Sequence, residues 1–135
     1  MDKEINTNVY DKINFPLRKK SEKPGFYLKK HYTEYVETVK ELKRAGKLEK
    51  AEQLLLNLID AVEAESKTKK VEVAPWYYEQ LAIIYRKQKA LQKELKVLER
   101  FTKQRIGPGA LPPKLFKRLE KIRTMLETNN IQRNS

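Results

Sequence analysis

Six basic side chains near the N-terminus are the first residues of this chain whose type and spacing suggest chemistry. They lie close in sequence to the aromatic residues Tyr10, Phe15, Phe26 and Tyr27. The six are Arg18, Lys19, Lys20, Lys23, Lys29 and Lys30. Cations hold phosphate groups and aromatic rings stack on bases, so this mixture is typical of a surface that binds nucleic acid. The alternative interpretation is a solvated face that keeps a basic protein soluble.

A second basic group lies near the C-terminus, on a segment with helical periodicity. It comprises Lys114, Lys117, Arg118 and Lys121. Residues three or four apart share one face of a helix, so we expect these four cations to form one basic strip. No zinc-finger, RRM or KH signature accompanies either group, so nothing in the sequence adds specificity to the nucleic-acid hypothesis.

Candidate catalytic residues are few in this sequence. Its one histidine, His31, stands at the start of a predicted helix, where histidine is more often a surface or capping residue than a base. The sequence contains no glycine-rich phosphate loop and no His-Glu-x-x-His motif. With no cysteine and one histidine, a transition-metal site lacks suitable ligands. The sequence therefore predicts a protein that is not an enzyme and that needs no metal or cofactor.

Length and composition limit the class of protein. The chain has 135 residues, 39% of them apolar and 36% charged, which indicates one globular domain. No apolar run approaches the roughly 20 residues of a transmembrane helix, so we expect no membrane partner. The start of the chain, Met1-Asp2-Lys3-Glu4, lacks the apolar segment of a secretory signal. Together with the absence of cysteine, this favours a cytoplasmic protein.

Positive charge is the most unusual property of the composition. Thirty Lys and Arg residues against 18 Asp and Glu residues give a formal net charge of +12. The excess lies in residues 1–30, 71–106 and 107–135, at +4 each, whereas residues 31–70 are neutral. A charge of this size favours an anionic partner without naming one.

Hydrophobic periodicity divides the chain into three parts. Residues 1–25 lack periodicity and are interrupted by Pro16, Pro24 and Gly25, so we expect a basic extended arm. Residues 26–128 form a helical domain, and residues 129–135 form a polar, flexible tail. The predicted fold is all-α: two antiparallel helical hairpins, a C-terminal capping helix and the extended N-terminal arm.

Five amphipathic helices account for the helical domain. Gly46 ends the first helix, Pro75 opens the third, and Gly107-Pro108-Gly109 follows the fourth. The apolar stripes of the five helices begin at Tyr32, Leu48, Tyr78, Leu91 and Leu115. Offsetting the chain by 43 residues aligns the second hairpin on the first, for example Tyr78 on Tyr35, so the hairpins form a repeat.

The second hairpin carries a recognisable motif. Its residues are Tyr78, Leu81, Ala82, Tyr85, Phe101 and Pro108, matched more loosely in the first hairpin by Tyr35, Leu42, Gly46, Ala51 and Leu55. On these residues the chain resembles the tetratricopeptide repeat (TPR) family over roughly residues 32–108. Glu94 and Thr38 depart from the motif, and the period of 43 exceeds the usual 34, so the resemblance is to a divergent, TPR-like repeat. Another helical bundle would have the same helices and differ in crossing angles and in whether a groove exists.

The TPR resemblance implies a concave surface lined by the first helix of each hairpin. The residues it places there are Lys40, Lys43, Arg44, Trp76, Gln80, Ile83, Arg86 and Lys87. Such a strip implies binding of an extended peptide, and its cations favour an acidic segment or a terminal carboxylate.

Three functions therefore follow from the sequence. The first is a protein-protein interaction module that binds an acidic or extended peptide through this basic groove. The second is a nucleic-acid-binding accessory protein that uses the basic arm and the C-terminal helix. The third is an oligomerising subunit whose apolar second helix pairs with a copy of itself. The oligomeric state is open in all three.

Overall fold

The computed structural model describes the backbone of residues 10–134 and the side chains of residues 10–132. Residues 1–9 of the predicted arm and Ser135 of the predicted tail lie outside the described residues. Contacts between residues divide the chain into two compact units, Met1–Val71 and Glu72–Ser135.

The described part of the first unit holds the arm, which is helical over residues 10–12, a small hairpin and two longer helices. Strands β1 (Phe26–Tyr27) and β2 (Lys30–His31) pair antiparallel, and a 3-10 turn over Tyr32–Tyr35 follows them. Helix α1 (Val36–Arg44) and helix α2 (Leu48–Lys69) then form the first helical hairpin. Strand β1 and the 3-10 turn pack on α2, which joins the strands to the helices.

The second unit holds three helices. Helix α3 (Pro75–Lys87) packs on α4 (Leu91–Thr102), and α4 packs on α5 (Leu111–Asn134). Pro75 is the first residue of α3, where its missing N–H interrupts no helical hydrogen bond. Tyr78 of α3 packs on Phe101 of α4 with ring centroids 5.2 Å apart. Phe101 also contacts Phe116 of α5, at 6.0 Å.

Apolar side chains from every helix are buried, as the periodicity predicts. In the first unit they include Val39, Leu42, Leu54, Leu55, Leu58 and Ile59. In the second unit they include Tyr78, Leu81, Leu98, Phe101, Leu115, Leu119 and Ile122. Within the described part of the chain, no helix is both long enough and apolar enough to span a bilayer.

The predicted all-α class is confirmed, with four differences in detail. The arm, which was predicted to be extended, is helical over residues 10–12. The hairpin of β1 and β2 was not predicted, because strands of two residues are too short to show alternation. Helix α5 continues through residues 129–134, where the sequence predicted a flexible tail. Glu94, which departs from the TPR motif, is buried, and the sequence analysis did not predict its burial. The TPR-like stacking of the hairpins stays a prediction.

Candidate functional site

Arg18 fixes the arm of the first unit to the hairpin that follows it. Its guanidinium donates three hydrogen bonds, to the carbonyls of Phe26 at 2.7 Å, Glu22 at 3.2 Å and Lys23 at 3.0 Å. The backbone N–H of Arg18 donates to Asn57 Oδ1 of α2 at 2.7 Å. Arg18 was predicted as a phosphate-binding residue, but the structure places its charge on backbone carbonyls, so its first role is to hold the arm.

Glu22, which is negatively charged, also connects the arm to the hairpin. The backbone N–H of Lys19 donates to one oxygen of its carboxylate at 3.0 Å, and that of Leu28 donates to the other at 2.7 Å. Glu22 is the one acidic residue between residues 17 and 31, which hold six basic residues. Its single negative charge offsets only one of these six positive charges, so the segment keeps a large positive excess.

The turn between β1 and β2 has an unusual backbone. Its two residues, Leu28 and Lys29, have φ angles of +49° and +70°, a region that favours glycine. Two such residues in a two-residue hairpin turn have the geometry that Asn-Gly usually supplies. The turn costs free energy with Leu and Lys, and it holds both side chains at an exposed tip.

Five of the six predicted N-terminal cations are exposed. They are Lys19, Lys20, Lys23, Lys29 and Lys30, which we call the lysine cluster. The hydrogen bonds of Arg18 and Glu22 connect the backbone of residues 19–23 to that of residues 26–28. Within residues 10–132, none of their ammonium groups has a carboxylate partner; Lys23 lies 4.8 Å from the Phe26 ring and Lys30 lies 5.7 Å from the Tyr35 ring.

The aromatic residues of this region are less accessible than the lysines. Tyr27 is fully buried and donates its hydroxyl to the carbonyl of Pro16 at 2.6 Å. Burial raises the pKa of Tyr27 to about 12, with smaller contributions from Tyr35 and Glu22. Phe15 and Phe26 are half-buried. The residues that are exposed beside the lysines are instead Leu17 and Leu28, at 84% and 46%.

His31 belongs to a hydrogen-bonded group beneath the hairpin. Its Nε2 lies 2.9 Å from Glu65 Oε2, and the hydroxyl of Tyr32 donates to Glu65 Oε1 at 3.0 Å. His31 also caps the 3-10 turn, accepting from the backbone N–H of Thr33. This is the capping role that the sequence favoured for a lone histidine.

Glu65 is the centre of that group. Burial acts to raise its pKa, but the hydrogen bonds from His31 and Tyr32, with the charges of His31 and the bond from Lys69, leave the pKa below its ordinary value. Burial raises the pKa of Tyr32 to about 12, helped by its bond to Glu65 and by the carboxylate charge. Gly25 packs against this carboxylate so closely that an added Cβ would lie 2.6 Å from Glu65 Oε2.

In the second unit, two predicted site residues meet on a carboxylate. Glu94 of α4 is fully buried; Arg86 of α3 donates to its two oxygens at 2.6 and 2.8 Å, and Arg118 of α5 donates at 3.1 Å. We call these three residues the arginine–glutamate cluster. Helix ends support it, since Arg86 lies in the last turn of α3 and Glu94 in the first turn of α4.

Sequence reasoning assigned Arg86 to a peptide groove and Arg118 to a nucleic-acid strip, and it missed their common partner. An acidic residue in register with Val97, Leu98 and Phe101 was the available signal, because those positions face the core. The other cations of the strip on α5, Lys114, Lys117 and Lys121, are exposed as predicted.

The residues of the predicted peptide groove fall in both units. In the first unit, Lys40 and Arg44 are exposed, Lys43 is half-buried, and Lys40 lies 3.6 Å from Glu37. In the second unit, Lys87 is exposed, whereas Trp76, Gln80 and Ile83 are half-buried, like Arg86. Trp76 and Tyr77 pack edge to face at a centroid distance of 4.9 Å. The groove stays a prediction.

The apolar surface proposed for self-association is largely covered. Leu54 and Ile59 of α2 are fully buried, and Leu56 is half-buried. Among the residues whose side chains are described, no three His, Asp or Glu side chains are grouped closely enough to hold a metal ion.

Comparisons of the chain with protein-family models, with curated proteins and with solved structures gave no match. The resemblance to the TPR family therefore rests on the residues that carry the motif.

Proposed function

We propose that this protein is a non-catalytic binding protein that holds the phosphate backbone of nucleic acid with the lysine cluster of its first unit. The observation that carries the proposal is that the charged side chains of this segment fall into two groups, one bonded to the backbone and one exposed to solvent. Arg18 and Glu22 form hydrogen bonds with the backbone. The neighbouring side chains of Lys19, Lys20 and Lys29 are exposed to solvent. A compact group of exposed ammonium groups is suited to neutralise several neighbouring phosphates.

Contacts to phosphates, rather than to bases, fit the surroundings of the lysine cluster. Tyr27 is buried and Phe26 is half-buried, so a flat aromatic surface for stacked bases is small. Lysine acts as a compact point charge and gives little geometric selection among partners. We therefore expect binding that depends weakly on nucleotide sequence.

The test compares two variants of equal net charge. Lys19→Gln/Lys20→Gln/Lys29→Gln removes three cations of the lysine cluster, and Lys67→Gln/Lys96→Gln/Lys103→Gln removes three exposed lysines outside it. Fluorescence anisotropy with labelled duplex and single-stranded oligonucleotides of random sequence measures the affinity. The first variant should bind at least about tenfold more weakly than the second at low salt, because only the first loses clustered phosphate contacts.

Equal affinities of the two variants would show that the overall positive charge, and not the lysine cluster, is responsible. A competition experiment distinguishes the acidic-peptide hypothesis from the nucleic-acid proposal. If polyglutamate displaces the oligonucleotide from the wild-type chain as effectively as an unlabelled oligonucleotide at the same charge concentration, the lysine cluster does not distinguish phosphates from carboxylates, and the nucleic-acid proposal fails. Displacement that is much weaker supports nucleic acid.

A further inference from the structure

The arginine–glutamate cluster of the second unit carries a surplus positive charge. Two guanidinium groups share one carboxylate: Arg86 contacts both of its oxygens, and Arg118 contacts one of them. Among the residues with described side chains, Glu94 is the only acidic partner of either arginine. One positive charge of the cluster is therefore left without a counter-charge.

Both arginines reach solvent although Glu94 does not. The side chains of Arg86 and Arg118 are 27% and 28% exposed, whereas that of Glu94 is 0% exposed. A guanidinium has five N–H donors, and Glu94 receives two from Arg86 and one from Arg118. Each arginine therefore retains donors that an approaching ligand can use.

Glu94 also fixes the direction of those donors. A buried carboxylate that holds two guanidiniums removes much of their side-chain freedom before any ligand arrives, which lowers the entropic cost of binding. Exposed cations lie nearby: Lys114 and Lys121 are four residues before and three residues after Arg118 on α5, so they share its face of the helix. The surroundings thus attract an anion.

We infer that the arginine–glutamate cluster is a binding site for a phosphoryl group, with Arg86 and Arg118 as its donors and Glu94 as their positioning residue. Arginine is the side chain best suited to phosphate, because its planar fork matches two oxygens at once. A phosphoryl group has several oxygens and up to two negative charges. It can therefore accept from guanidiniums on two helices and balance the surplus charge. This site shares no residue with the lysine cluster and does not depend on the function proposed for it.

The test is a titration of the full chain with inorganic phosphate. The amide and arginine Nε signals in NMR spectra monitor binding. Sodium chloride keeps the ionic strength constant, so general screening does not contribute. The inference predicts saturable shifts at the end of α3, the start of α4 and around Arg118. Arg118→Gln should weaken binding about 10- to 100-fold, as expected for a lost charge-assisted hydrogen bond.

Arg123→Gln is the matched control on the same helix, because Arg123 pairs with the more exposed Glu99 at 3.4 Å. It should leave the phosphate affinity within about twofold of the wild type. Arg118→Lys covers the case in which Arg118→Gln does not fold: it keeps the charge, loses the fork, and should bind phosphate measurably more weakly.

Further ligands identify the source of the phosphoryl group. A nucleoside monophosphate that binds no more tightly than inorganic phosphate assigns the site to the phosphoryl group alone, and tighter binding indicates a nucleotide. Acetate that binds as tightly as phosphate would overturn the phosphoryl assignment. Absence of saturable shifts, or equal weakening by Arg118→Gln and Arg123→Gln, would overturn the site itself.

Discussion

Lysine and arginine have different structural surroundings in the two units of this protein. In the first unit, the side chains of the lysine cluster are exposed to solvent, and the arginine beside them, Arg18, is bound to carbonyl oxygens. In the second unit, Arg86 and Arg118 converge on a fully buried carboxylate. The net charge of +12 therefore combines exposed lysines with arginines that are bonded inside the fold. Arg18, Arg86 and Arg118 each hold segments together, and in the first unit the exposed lysines supply the charge that a partner can meet.

The largest expected effect is in the second unit, where Glu94→Ala leaves Arg86 and Arg118 without their carboxylate. We expect a loss of about 3 kcal/mol in the free energy of unfolding, the low end for a broken buried ion pair, because both guanidiniums can turn to solvent. Trp76, the only tryptophan, lies in this unit, so its fluorescence during urea unfolding reports the change.

Glu99→Ala is the control, since it breaks the exposed pair with Arg123 and should cost less than about 1 kcal/mol. Similar losses for the two variants would remove the distinction between a buried cluster and a surface pair.

In the first unit, Arg18→Ala should cost about 2–3 kcal/mol of unfolding free energy, because three carbonyls lose a charged hydrogen-bond donor. The imidazole NMR signals of His31, the one histidine, report unfolding of this unit. Lys19→Gln should change stability by less than about 0.5 kcal/mol, because its side chain is exposed. If Lys19→Gln costs as much as Arg18→Ala, the lysines are structural too.

Two glycines of the first unit separate close packing from backbone strain. Gly25 and Gly46 have φ angles of +87° and +74°, but only at Gly25 would a Cβ meet other atoms. Gly46→Ala should cost about 1 kcal/mol for its backbone alone. Gly25→Ala should cost about 2 kcal/mol, since Glu65 must also move. Equal costs in urea unfolding would show that the close approach of Gly25 to Glu65 is unimportant.

Acid should weaken the first unit through Glu65, with a smaller effect than the substitutions above. The pKa of Glu65 is lower in the folded state than its ordinary value near 4.5, so the folded chain favours the carboxylate. Its contribution to stability is complete above the unfolded pKa and is lost as the pH falls through the folded pKa. Unfolding free energies measured between about pH 6 and 3 should fall less steeply in Glu65→Gln than in the wild type. Identical slopes for Glu65→Gln and the wild type would contradict the role of Glu65 in the acid sensitivity of the first unit.

Hydrophobic periodicity predicted the five helices because each buries one apolar stripe. It placed Pro75 at the start of a helix and Gly46 just after the end of one, since both have local conformational preferences that the structure keeps. The turn of Leu28 and Lys29 was not predictable in this way, because neither residue favours a positive φ angle. Arg18 holds Phe26 and Glu22 holds Leu28 at that turn, and those contacts depend on the fold.

The candidate sites were predictable in composition but not in geometry. The sequence identified the exposed lysines, because neighbouring residues in a short segment stay close in space. It could not show that Arg86 and Arg118, which lie 8 and 24 residues from Glu94, share a buried carboxylate. Contacts of that kind depend on how α3, α4 and α5 pack, and charge alone gives no sign of it.

The salt dependence of oligonucleotide binding tests the central claim most directly. Each phosphate contact adds about 0.9 to the slope of log K against log salt concentration for duplex DNA, and about 0.7 for single strands. The slope for Lys19→Gln/Lys20→Gln/Lys29→Gln should therefore be smaller than that of the wild type by about 2–3, while Lys67→Gln/Lys96→Gln/Lys103→Gln keeps the wild-type slope. Equal slopes for the two variants, which carry the same net charge, would contradict a phosphate-binding role of the lysine cluster.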